Sequence, residues 1–167
     1  MKVEHLEERV NDYKESIKLV VDKKIKWGKE IKPLIASTLK NIVEKYSIGW
    51  KMQELSWINN NEAVNVTFDS FPRELMDCTN QIPEYQFVTG GSLVFSQSYS
   101  GDVYIFILFP FADNMTVETN TLELGMYSPQ EITAKLIVEK VDEFLKEMIK
   151  WEVPAHRSKM GFQNKET

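Results

Sequence analysis

The stretch SQSYSGDVYIFILFPFAD (Ser96–Asp113) places nine apolar or aromatic residues in succession, Val103 to Phe111, and its reading decides the fold. A helix needs roughly 20 apolar residues to cross hydrocarbon, so this run is not a membrane span. Its composition favours a strand, in which Tyr104, Phe106 and Leu108 share one face while Ile105, Ile107 and Phe109 share the other. Ser100-Gly101 just before it supplies a turn, and Pro110, with no N–H to give a ladder, ends the strand or sets it at an edge. The run is therefore the second arm of a β-hairpin. Both its faces are apolar, so helices on one side leave the other to be covered by further structure, a partner chain or a ligand.

Upstream, FVTGGSLVF supplies the first arm, with Gly90 and Gly91 bending it or leading into it. Pro72 and Pro83 bracket PRELMDCTNQIP, which has room for one helical turn and is expected at the surface; it is one candidate, beside a partner or a ligand, to cover the second sheet face. Before that, WKMQELSWI and AVNVTFDSF alternate in the manner of strands, joined by the turn-forming NNNEA. The apolar phase slips between Met52 and Leu55, which predicts a bulge.

The chain opens helically. Val3, Leu6, Val10, Tyr13, Ile17, Val20 and Trp27 recur in steps of three and four, with Lys24 as the one polar break. Such a stripe is expected to pack on another helix of the same chain; pairing with a second chain is the alternative. Gly28 is a stop signal, and Pro33 suits the first turn of a second helix, whose buried face would run from Ile31 to Tyr46. Downstream, TVETNTLEL alternates weakly as a last strand. Ser128-Pro129-Gln130-Glu131 then reads as a serine N-cap, a proline at the first helical position and a capping-box glutamate. The helix it opens should reach about Trp151, burying Ile132, Leu136, Val141, Phe144, Leu145 and Met148. Exposed pairs Glu131–Lys135 and Asp142–Lys146 should flank that face.

The expected class is α+β: two N-terminal helices, a curved, mostly antiparallel sheet of four to five strands, and a long C-terminal helix packed on it. Residues 1–152 form one domain, and 153–167 a mobile polar tail. The apolar fraction of 43% beside 27% charged residues excludes global disorder. The charged, periodic start is not a secretory signal, and a single cysteine, Cys78, forms no internal disulfide, so a cytoplasmic setting is expected.

Catalytic chemistry finds little support. His5 and His156 sit near opposite ends, no Cys/His set has metal-ligand spacing, and no metal or cofactor is expected. Cys78, with Arg73 five residues before it, reads as a packed thiol more readily than as a nucleophile. Thr89-Gly90-Gly91-Ser92 leads into a strand, where no helix N-terminus faces an anion, and the P-loop, G-x-G-x-x-G and G-x-S-x-G motifs are absent.

Residues 14–45 carry nine lysines against four acids, whereas residues 46–145 carry four basic residues against fourteen acids. A lysine-rich helix can contact phosphate, but a net charge of −5 and the scarcity of arginine make nucleic acid the third reading. The leading expectation is a non-enzymatic interaction module of the adaptor or chaperone-like kind, using an apolar sheet face or edge to bind a protein or a second copy of itself. The alternative is a small-molecule site or enzyme with aromatic walls from Trp50, Trp57, Tyr85, Tyr104 and Phe106. Arg73, Asp102 and Asp113 would be its polar anchors.

Overall fold

The computed structural model describes residues 3–58, 61–75, 81, 90–110 and 120–153, with the backbone alone at 57 and 58. The class is α+β, as the sequence predicts. A helical segment runs from Val3 to Lys45: α1 (Val3–Lys26), a π turn (Trp27–Ile31) and α2 (Lys32–Lys45). Five strands follow as β1 (Trp50–Ile58), β2 (Asn61–Phe68), β3 (Ser92–Gln97), β4 (Val103–Leu108) and β5 (Thr121–Tyr127), and the chain closes with α3 (Ala134–Glu152). The strands lie in sequence order, each antiparallel to its neighbours.

The decisive run is β4, paired with β3 on one side and β5 on the other. A turn over Ser98–Gly101 joins it to β3, closed by Ser98 N–H to the Asp102 carbonyl at 2.9 Å. Gly101 has φ +87°, and a Cβ there would lie 2.6 Å from Lys23 Cβ, so α1 can pass against this turn only because glycine occupies it. The register of β1 is continuous from Trp50 to Leu55, so no bulge interrupts it between Met52 and Leu55; the irregularity comes later, between Leu55 and Ile58.

Helices cover one face of the sheet. Val103, Ile105 and Ile107 of β4 meet Leu93 and Phe95 of β3 and Val64 and Val66 of β2. Trp27, Ile31, Ile35 and Leu39 pack above them beside Ile137, Val141, Phe144 and Met148 of α3. The four-residue steps along α2 and the 4-3-4 steps along α3 explain why each helix turns a single stripe to the sheet. The last helix nevertheless starts later than its capping signal. Ser128 Oγ donates to Glu131 Oε1 at 2.8 Å, but this heads only a 3₁₀ turn, Pro129–Glu131. The chain then extends through Ile132 and Thr133, and Thr133 becomes the true N-cap, its Oγ1 accepting from Leu136 N–H at 3.1 Å. The physical reason is Ile132, drawn into the core, which two adjacent β-branched residues in extended conformation deliver there. Of the two exposed pairs expected, Asp142–Lys146 forms at 2.9 Å, while Glu131 is engaged by Ser128.

The last strand also lies further along than TVETNTLEL suggests. A bulge opposite Ile105/Phe106 leaves Leu124 without a cross-strand partner, and its carbonyl accepts from the buried Lys140 Nζ at 3.3 Å. Burial works against the Lys140 ammonium. The Tyr127 hydroxyl and the Glu143 carboxylate, 3.0 Å away, more than offset it and hold the pKa above the ordinary lysine value.

Glu62 ties the helices to β2. Its Oε2 accepts from Trp27 Nε1 at 3.1 Å and lies 2.9 Å from Lys32 Nζ. The Lys32 hydrogen bond lowers its pKa, burial opposes this, and the Trp27 donor lowers it further, leaving a net depression. A depressed carboxylate stabilises the fold above its unfolded pKa, about 4.3, and loses that contribution as pH falls through the folded value. Glu62→Gln is therefore expected to melt below the native protein at about pH 6 and to converge with it at about pH 3. A gap in melting temperature that stayed constant across that range would show that the carboxylate charge contributes nothing.

Candidate interaction surface

The second face of the sheet carries the other half of β4. Tyr104 and Phe106 stack at 4.8 Å between ring centroids and pack with Ala63, Val94, Leu55 and Leu108. Ala63 and Val94 are 0% and 1% exposed, so the middle of this face is closed and offers no open apolar platform. Polar residues flank it: Ser92 Oγ donates to Thr67 Oγ1 at 2.8 Å, and Asn65 is buried alongside. At the Tyr104 end a concavity of ≈ 260 Å³ opens among Asn61, Ser96, Tyr99, Tyr104, Phe106 and Met126. Burial, and secondarily the charge of Glu123, raise the Tyr104 phenol above its ordinary pKa, so the rim presents a neutral hydroxyl. The volume falls below the roughly 300 Å³ at which small-molecule sites begin.

The structure distributes the candidate pocket residues. Tyr104 and Phe106 meet at the concavity, but Trp50 lies on the opposite, helix-covered face, its Nε1 donating to the Tyr46 carbonyl at 2.6 Å and its ring stacked on Phe68. Sheet thickness therefore separates these walls. Asp102 is engaged internally, by Lys23 Nζ at 2.9 Å and Ser100 Oγ at 3.1 Å. Arg73 is exposed on the 3₁₀ turn Arg73–Leu75. Tyr85, Asp113, Cys78, His156, the polar tail from residue 154 and most of the Pro72–Pro83 connection lie outside the described residues, as does the Trp57 side chain.

The larger open apolar surface is on α1. Among its described residues none is buried, and from Val3 to Leu19 every position is exposed. Among the described residues the helix meets the body near its end, where Val20 and Lys23 approach the β3–β4 turn. Val3, Leu6, Val10, Tyr13 and Ile17 thus stand between 43% and 67% exposed in a single row. The stripe predicts an intrachain helix as its partner, with a second chain as the alternative; among the described residues no helix covers it, and the buried stripe begins at Trp27 and continues into α2. Scattered apolar residues on a surface need no explanation, but a continuous row at heptad spacing is the signature of an interhelical seam.

Among the described residues no group of three or more His, Cys, Asp or Glu is placed to hold a metal ion, and no helix is long and apolar enough to cross a membrane. Comparison with protein-family models, curated proteins and solved structures finds no match to this chain.

Proposed function

We propose that this protein is a non-enzymatic interaction module that binds a protein partner through the apolar row of α1. The observation that carries this reading is the exposure of the whole row, from Val3 to Ile17, on a helix that meets the described body at Val20 and Lys23. Burying such a row against a partner recovers about 25 cal/mol for each Å² of apolar surface taken from water. The second sheet face has, among the described residues, a closed centre and a small concavity at the Tyr104 end, which favours the helix over a sheet-face or small-ligand mode. Nucleic acid is disfavoured because Lys23, Lys26 and Lys32 already face Asp102, Glu30 and Glu62 of the same chain. A reducing, cytoplasmic setting fits the lone cysteine.

The test compares what tagged native protein and a Leu6→Lys/Tyr13→Lys variant capture from a lysate of the source cells, the untagged native chain included among the prey. Both positions are exposed, so the variant keeps its fold. A partner that drops by roughly tenfold or more with the variant is expected. Identical capture by both proteins would refute the α1 reading.

A further inference from the structure

The charge pattern of α1 names its partner. From Val3 to Tyr13 the helix carries four acids against one arginine, and from Lys14 to Lys26 five lysines against two acids. A helix with an acidic first half and a basic second half is complementary to itself only when reversed. The interaction-module reading being granted, we propose that the occupant of the row is a second copy of this chain, its α1 antiparallel to the first.

The register follows from the apolar positions. Val3, Leu6, Val10, Tyr13, Ile17 and Val20 alternate as a and d of a heptad. Centring the two-fold axis between Asn11 and Asp12 sets Val10 against the partner's Tyr13, Leu6 against the partner's Ile17, and Val3 against the partner's Val20. The seam spans 18 residues, about 27 Å at 1.5 Å per residue. It stops at Lys24, the polar break, and at the β3–β4 turn, where α1 meets its own body. The two sheets therefore sit at opposite ends of the seam. This is an isologous interface that closes on itself and forms no fibre.

Flanking residues distinguish this arrangement from a parallel pair. Antiparallel, the e positions face one another, and Glu7 meets the partner's Lys14 on both sides of the axis; Arg9 meets the neutral partner's Ser16. Parallel, g faces the e position of the following heptad, and Arg9 would meet the partner's Lys14, two like-charge contacts that the antiparallel pair does not make. In the single chain Arg9 already pairs with Asp12 at 3.0 Å, which leaves Glu7 and Lys14 as the charges at the seam.

Sedimentation equilibrium on the full chain provides the test, over concentrations bracketing a micromolar dissociation constant. The native protein is expected to be a dimer at the upper end, and Leu6→Lys/Tyr13→Lys to weaken it by at least about 100-fold. Lys14→Glu is expected to weaken it about 5- to 10-fold, and the swap Glu7→Lys/Lys14→Glu to restore it. Tighter association of Lys14→Glu would overturn the antiparallel register, since in a parallel pair it would turn repulsion with Arg9 into attraction. A dimer indifferent to Leu6→Lys/Tyr13→Lys, or a monomer throughout, would overturn the second-copy assignment. In the monomer case, row-dependent capture of a different protein from lysate would still uphold the interaction module, so the two readings fail separately.

Discussion

Trp27→Ala is expected to lower the unfolding free energy by about 3–5 kcal/mol, the range found when a fully buried aromatic is truncated in a core. Trp27 is 1% exposed and sits where every layer meets: it opens the π turn, packs in the core shared by the sheet and α3, and anchors the end of α1 through its donor to Glu62. Removing it deletes the ring and also leaves the Glu62 carboxylate with Lys32 alone. Trp27→Phe keeps most of the volume and drops the donor, so it should cost less than half as much. Urea denaturation at a fixed protein concentration gives both values, the fixed concentration being needed because association through α1 would itself stabilise the fold. A loss below about 1 kcal/mol for the alanine variant would mean that the helices dock on the sheet without this anchor.

The same residue shows where sequence reading stops. The core-facing steps of four from Ile31 through Ile35 to Leu39 are legible in the sequence, as are the first four strands, because apolar periodicity marks each of them. Gly28 and Pro33 predict the end of one helix and the start of the next, whereas the chain stays helical through both by widening to a π turn, Lys32 N–H bonding to the Trp27 carbonyl. Pro33 supplies the reason. It lacks the N–H that would bond four residues back, and its ring presses on that carbonyl, so a wider turn just before it relieves the conflict without breaking the helix. Local punctuation recorded the conflict but not which of two resolutions the core would select.

The start of α3 is a second instance. Two capping signals, at Ser128 and Thr133, compete within six residues, and the burial of Ile132 between them decides for the later one. At the candidate surface, the apolar row of α1 was written in the sequence residue by residue. Its exposure was not, since periodicity identifies a face to be covered without identifying what covers it. The aromatic set failed as a group for a related reason: strand alternation fixes which residues share a face within one strand. Only the pairing register, Trp50 with Phe68 and Tyr104 with Ser96, tells that Trp50 and Tyr104 look in opposite directions.

Gly49→Ala is expected to cost about 2–5 kcal/mol, combining a left-handed backbone penalty of about 1–2 with overpacking of about 1–3. Gly49 has φ +93° at the junction of α2 and β1, and a Cβ there would strike the Ser70 backbone, meeting its carbonyl oxygen and lying 2.6 Å from its carbonyl carbon. Backbone cannot rotate aside as a side-chain tip can. The Gly49 carbonyl also accepts from Asp69 N–H at 2.9 Å and Ser70 N–H at 3.1 Å, clipping the chain leaving β2 to the chain entering β1. Moving either strand to make room would therefore break the clip. Gly28→Ala is the matched control, because a Cβ there meets nothing and the backbone is helical, so it should stabilise by about 0.4–1 kcal/mol through the unfolded chain. Opposite signs for the two glycines in one denaturation series are expected; equal effects would mean that composition, and not the contact with Ser70, governs the α2–β1 junction. Because Gly49 is remote in sequence from the row on α1, its variant should still associate as the native chain does at temperatures where it remains folded, which separates loss of fold from loss of the interaction surface.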